Sequence, residues 1–237
     1  WQLARERIGA QADDFFLLDD ELRALGASAL EAEMGFGFER DESGAVGDAV
    51  EVELPSGRTL RFRGWVDRVD RLPDGSVAVI DYKTVSRALS TDDIVAGLHQ
   101  GRYLQLPLYA RAATRRHGGD DATAAYWYLA SRTPSAAAEV VLGDIDGLFL
   151  EALEVFTDGI ASGRYPIRPG EATTWPRPTF EHCKWCDYDA LCPAERDQIW
   201  LRQEADPRLG TYVELTSREP AVEDGAVSVG DDDSSRR

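Results

Sequence analysis

Asp67, Asp81 and Lys83 are the residues whose types and spacing could do chemistry together. Asp67 lies in Gly64-Trp65-Val66-Asp67-Arg68-Val69-Asp70, and the other two lie in Val79-Ile80-Asp81-Tyr82-Lys83-Thr84. Both runs alternate as strands do, and Pro73-Asp74-Gly75 between them is a turn signal. Strand residues two apart share a face, so Asp81 and Lys83 project to one side and Ile80 and Tyr82 to the other. A hairpin around Asp74-Gly75 brings Asp67 and Asp81 to the same end of neighbouring strands. Two carboxylates converging there form a site for a hard divalent cation such as Mg²⁺ or Mn²⁺. An ammonium beside such an ion can orient an attacking water and stabilise charge developing on a phosphate. A plainer reading stays open, because Asp-rich hairpins are common and Asp70 and Asp74 suit solvated turn positions. Flanking Val77, Val79 and Ile80 favour a partly buried polar site over surface decoration.

The elements that must hold these residues follow from apolar periodicity. Gln2 to about Gly26 is expected to be helical, with Leu3, Ile8, Phe15, Phe16 and Leu22 at loosely helical intervals. Gly35 to Gly47 reads as a loop with a short strand near Phe36. Val50, Val52 and Leu54 form a strand, Leu60 through Val69 a second, and Val77 through Tyr82 a third, with Pro55-Ser56-Gly57 as the first turn. Together they predict a three-strand meander. Ile94 to about Arg116 reads as a helix stopped by His117-Gly118-Gly119, with Pro107 marking a kink or a helix start. Ala124–Leu129 reads as an aromatic, buried strand and Val140–Leu142 as a short one. Leu148–Ile160 reads as an amphipathic helix, and Ala194–Arg202 as a short helix. The fold class is therefore α/β, a small mixed sheet flanked by helices. The expected organisation is a core over 1–165, a cysteine-bearing segment over 166–216 and a disordered acidic tail over 217–237.

Of the 237 residues, 43 are acidic and 26 basic, a formal charge of −17. That balance excludes a protein that coats nucleic acid by bulk electrostatics, and a polybasic membrane-surface binder. No apolar run reaches the roughly 18 to 20 residues of a membrane helix, and no signal peptide precedes the first helix. A start at Trp1 points to a fragment. All three cysteines, Cys183, Cys186 and Cys192, fall within ten residues. An odd, clustered set suits metal or cluster ligation in a reducing cytoplasm better than disulfides. Zinc with a histidine such as His182 as fourth ligand, or three unligated thiols, stay open at this point.

Gly64-x-x-Asp67-Arg68-x-Asp70 followed by Asp81-Tyr82-Lys83-Thr84 resembles the nuclease core of the PD-(D/E)xK superfamily, in its RecB-like exonuclease branch. Gln105-Leu106-Pro107-Leu108-Tyr109 matches that branch's Gln-x-x-x-Tyr, and Glu33 matches the upstream acidic residue, expected on the helix before the meander. The resemblance spans roughly Glu33 to Cys192 and implies a restriction-endonuclease-like core. Val66 replaces the proline of the family's name, and no histidine precedes His99, whereas some members carry one upstream. The resemblance implies that Asp67, Asp81 and the backbone carbonyl of Tyr82 bind Mg²⁺ or Mn²⁺, that Lys83 positions or activates water, and that Glu33 assists. Gln105 and Tyr109 would orient DNA or brace the site, with ordinary helix packing as the alternative. Cys183-x-x-Cys186-x5-Cys192-Pro193 resembles the branch's [4Fe-4S] segment, whose remaining cysteine lies upstream of the core, here before residue 1. The implied activity is metal-dependent DNA hydrolysis, as the C-terminal nuclease part of an AddB-type helicase–nuclease. A stand-alone exonuclease and a non-catalytic DNA-binding module are the alternatives. No Walker motif is present, so an ATP-driven motor would be a separate domain or partner subunit.

Overall fold

The computed structural model describes residues 1–37, 48–85, 88–119, 121–129, 137–174, 178–184 and 186–218. Along the chain come α1 (Gln2–Ala24), β1 (Ser28–Phe36), β2 (Val50–Glu53), β3 (Thr59–Phe62), β4 (Gly64–Arg71) and β5 (Val77–Lys83). Then follow α2 (Thr91–His99), α3 (Gln105–His117), β6 (Ala122–Tyr128), β7 (Ala137–Val141) and α4 (Leu142–Ala161). The last described part holds a two-residue ribbon, β8 (Ala172–Thr173) with β9 (Thr179–Phe180), and two short helices, α5 (Arg196–Gln203) and α6 (Gly210–Thr216).

Five strands form the central sheet in the order β1-β4-β5-β6-β7, antiparallel except for the parallel pair β5–β6. The mixed, helix-flanked sheet is the expected fold class. Strand β5 sits at its centre because Val77-Ala78-Val79-Ile80 is apolar on both faces, and both faces are covered. Val77 and Val79 join one core with residues of α2, α3 and α4, including Ile94, Leu98, Leu106 and Phe149. Ile80 joins the other, with Leu18 of α1, Ala125 and Trp127.

Three expectations need correction. Residues 60–69 do not make one strand: β2 and β3 pair as a separate hairpin that packs Val50 and Val52 onto the larger core. The strand is interrupted at Arg63, and β4 starts at Gly64 in the main sheet. The third antiparallel strand beside β4 and β5 is β1, nine residues long rather than a short strand in a loop. Its Met34, Gly35 and Phe36 are buried although its first half is exposed, and an exposed first half hides the alternation on which sequence reading depends. The expected helix over 94–116 is two helices. Gly101, at φ +72°, ends α2 with Arg102 N–H on the Gly97 carbonyl and Gly101 N–H on that of Leu98, a Schellman closure. Pro107 lies in the first turn of α3, where a missing N–H costs nothing, so it marks a helix start. Residues 38–47 of the glycine-rich segment, Arg87, and the tail from 219 onward lie outside the described residues.

Helix α1 buries only Leu18 fully. Ion pairs supplement that thin apolar contact. Arg68 of β4 donates to both carboxylate oxygens of Asp70 at 2.8 Å and to Asp19 of α1 at 2.5 Å. Arg23 of α1 reaches Asp70 at 3.1 Å. The Arg68 guanidinium also lies 5.4 Å from the Trp127 ring centre and 5.9 Å from that of Phe15. Asp70 is fully buried, so it is a core ion-pair partner and not a solvated turn residue. Asp74 does take the turn role, accepting from the Ser76 N–H at 2.9 Å.

Candidate active site

Local strand geometry puts Asp81 and Lys83 on the α3 face of the sheet, as expected. Tertiary pairing then decides how Asp67 reaches them. The β4–β5 ladder runs from Arg71↔Val77 to Arg68↔Ile80 and stops there. Beyond it the strands diverge, and the Asp67 carboxylate fills the fork by accepting the Tyr82 N–H at 2.7 Å. Val66 and Val69, three positions apart, both reach the larger core, so β4 departs from strict alternation at this point.

Asp81 is 4% exposed. Its Oδ1 accepts from Gln105 Nε2 at 2.9 Å. Its Oδ2 forms an ion pair with the Lys83 ammonium. Burial pushes the Asp81 carboxyl above the usual range; Lys83 pulls it back, and the nearby Asp67 charge pushes it up again.

Gln105, the first residue of α3, ties the site together. Its Oε1 accepts from Lys83 Nζ at 3.1 Å and from the Tyr126 hydroxyl at 3.3 Å. Its Nε2 also donates to the Tyr109 hydroxyl, one helical turn on, at 3.0 Å. Tyr109 packs edge-on against Phe36 as well, so it combines both of the expected roles of bracing and packing. Tyr126 escaped sequence reasoning. It lies opposite Asp81 in the β5–β6 register, and Lys83 Nζ stands 4.8 Å from its ring centre. The one sequence signal was a tyrosine in a buried strand, whose hydroxyl must find a partner.

Glu33 belongs to β1, not to a helix. Its neighbours Ala32 and Met34 pair with Arg68 and Val66, which sets it alongside Asp67. It is exposed and has a strained φ of +51°. Arg68, although next to Asp67 in the chain, is committed to the α1 face through Asp19 and Asp70. Cys183 is buried, Cys186 exposed and Cys192 half-buried, all as free thiols. Among the described residues no group of three or more His, Cys, Asp or Glu is assembled to hold a metal ion, so neither Glu33 nor the cysteine trio completes one. No helix among them is long and apolar enough to cross a membrane.

The family model of the PD-(D/E)XK nuclease superfamily matches residues 2–193. The chain belongs to that superfamily. Its match includes all the site residues above as well as the cysteine segment. One polypeptide of the ATP-dependent helicase/deoxyribonuclease from two Clostridium perfringens strains (ATCC 13124 and 13) is 29% identical over 99 residues, and its counterpart from strain SM101 is 28% identical. These matches cover 40% of this chain and 8% of those proteins, so the chain corresponds to a small part of their length. A solved crystal structure, that of SSO0001, is 20% identical and covers 76% of this chain and 66% of its own, with a TM-score of 0.34. In this PD-(D/E)XK chain the Tyr126 hydroxyl is expected to matter less than its ring. Tyr126→Phe should cost about 0.5–1.5 kcal/mol, one buried hydrogen bond, and Tyr126→Ala about 3–5 kcal/mol through the cavity it leaves. Urea unfolding of the two variants measures the difference.

Proposed function

We propose that this chain hydrolyses DNA phosphodiester bonds with Mg²⁺ or Mn²⁺, as the nuclease part of a cytoplasmic helicase–nuclease that processes double-strand breaks. The observation that carries this reading is the buried Asp81 carboxylate, set beside Asp67 and ion-paired with Lys83. Asp67, Asp81 and the Tyr82 carbonyl would hold the ion. An all-oxygen set with two carboxylates suits Mg²⁺, which keeps several positions for water and phosphate oxygens. When bound, such an ion supplies Lewis-acid neutralisation at the phosphate and a more acidic water.

This chain's own residues do the rest. Lys83 positions the attacking water and stabilises negative charge on the phosphate. Gln105 holds Lys83 and Asp81 at once, and Tyr109 and Tyr126 hold Gln105, so the ammonium and the carboxylate keep their orientation. Glu33 assists from the neighbouring strand. The alternatives are a non-catalytic DNA-binding module and a stand-alone exonuclease; intact Asp67, Asp81 and Lys83 support an enzyme. The test is cleavage of end-labelled DNA with Mg²⁺ or Mn²⁺ against an EDTA control. Metal-dependent loss of full-length DNA is expected, and no cleavage with either ion would overturn the reading.

Residues 1–165 form the nuclease core in this proposal, with 166–216 packed on it and 217–237 as a tail. The formal charge of −17 implies that DNA is delivered by a motor domain or partner subunit at high effective concentration. The chain alone should bind DNA weakly and with a shallow salt dependence. The iron–sulfur reading rests on cysteine spacing alone: three thiols fall short of the four a cubane cluster takes. If a fourth thiolate is supplied from outside residues 1–237, the protein that carries it should be brown and contain iron and sulfide. Stoichiometric zinc in a colourless protein would replace the cluster, and neither metal would remove both.

A further inference from the structure

A cleft of about 700 Å³, lined by none of Asp67, Asp81, Lys83 or Gln105, lies where the α2–α3 connection meets α4 and the C-terminal helices. Its walls carry the aromatic rings of Phe156, Trp200 and Tyr212 and three guanidiniums, those of Arg102, Arg168 and Arg218. Tyr212 stands 6.4 Å from both Phe156 and Trp200, ring centre to ring centre, so the three form one cluster. Arg168 lies over Trp200 at 5.7 Å and donates to the Thr216 carbonyl at 2.7 Å. Arg102 is exposed, lies over Tyr103 at 5.8 Å and donates to the Gln100 side chain. Among the described residues neither guanidinium has a carboxylate partner, which is notable in so acidic a chain. Glu171 and Glu181 also border the cleft, and Arg218 there is already paired with Glu151. Attraction for phosphate is therefore confined to Arg102 and Arg168.

The cleft and the site are joined by a short stretch of chain. Arg102 precedes Gln105 by three residues, at most about 11 Å of backbone. Tyr103 between them, at a strained φ of +57°, packs against Gly97. Aromatic rings flanked by a few cations bind unpaired bases, each of which offers a π-face, and the phosphates between them. We propose that this cleft is a subsite for one or two nucleotides of a single DNA strand, which it holds beside the scissile bond. The proposal rests on the nuclease reading above and names the form of its substrate.

The test compares wild type with Arg102→Glu, Arg102→Lys and Trp200→Ala. Binding of fluorescein-labelled (dT)12 is read by anisotropy at low salt in EDTA. Hydrolysis of thymidine 5′-phosphate p-nitrophenyl ester, too small to span both places, is read with Mn²⁺. Arg102→Glu and Trp200→Ala should each weaken oligonucleotide binding about tenfold, the value of one stacked base or phosphate contact. Arg102→Glu should also flatten the salt slope by about 0.7. Arg102→Lys should keep most of the binding, and hydrolysis of the small ester should be unchanged in all three. Unaltered (dT)12 binding in both weakened variants would overturn the proposal, as would equal affinity for a duplex of the same length. A parallel loss of ester hydrolysis would also overturn it, by showing that these residues act on the fold or the carboxylate site. Failure of wild type to hydrolyse the ester and DNA alike would count against the nuclease reading, while the binding comparison would still judge the cleft.

Discussion

Replacing Asp81 with alanine is expected to reduce DNA hydrolysis by about three orders of magnitude or more while the protein keeps a cooperative melt. Activity should fall because Asp81 is the buried member of the carboxylate pair and the group that Lys83 and Gln105 both contact. Stability should hold because the ionised carboxylate is already disfavoured by burial and by Asp67. Removing it relieves that cost, and the half-exposed Lys83 ammonium can turn to water. Lys83→Ala should give the same loss of cleavage, since its ammonium has no substitute among the described neighbours of Asp81. Cleavage rates on labelled DNA, with thermal melts of the same preparations, make the measurement. Wild-type rates in Asp81→Ala would sink the assignment of the site.

Asp70→Ala is expected to act in the opposite way, on stability first. Asp70 is fully buried and neutralises Arg68, through two hydrogen bonds, and Arg23. The Asp70 carboxylate is the main reason that the Arg68 guanidinium holds its proton more firmly than usual despite burial. Without it, the buried cation keeps Asp19 as its one carboxylate partner among the described residues. Breaking such a pair costs about 3–5 kcal/mol, and each kcal/mol lowers Tm by roughly 2–4 °C in a chain of this size. Tm should therefore fall by roughly 10 °C. Because Asp19 and Arg23 belong to α1, limited proteolysis should cut that helix first. An unchanged Tm would show that apolar packing through Leu18, Phe15 and Leu22 holds α1 unaided.

The two sites differ in how far the sequence revealed them. Asp81 and Lys83 were legible because a strand's period of two is a local property, set by φ and ψ alone. The alternation in Val79-Ile80-Asp81-Tyr82-Lys83 assigned both faces of β5 correctly. Pro107 was a local signal that left a kink or a helix start open, whereas Gly101, which ends α2 and so allows Gln105 to begin α3, was not recognised. Glu33 was recognisable as a residue but not as part of a strand, because the exposed half of β1 has no apolar rhythm.

The sequence by itself determined that Asp81 and Lys83 share one face of β5 and Ile80 and Tyr82 the other, and it pointed to the superfamily. Only the tertiary structure decided that the β4–β5 ladder ends at Arg68↔Ile80, which lets Asp67 swing to the Tyr82 amide. It alone decided that Arg68 and Asp70 turn inward to α1, and that Tyr126 lies under Lys83. It also brought Arg102 and Trp200, 98 positions apart, to one cleft. The physical reason is common to all of these. Strand divergence, buried charge pairing and ring contacts depend on partners distant in sequence, and local periodicity carries no information about which partner will arrive.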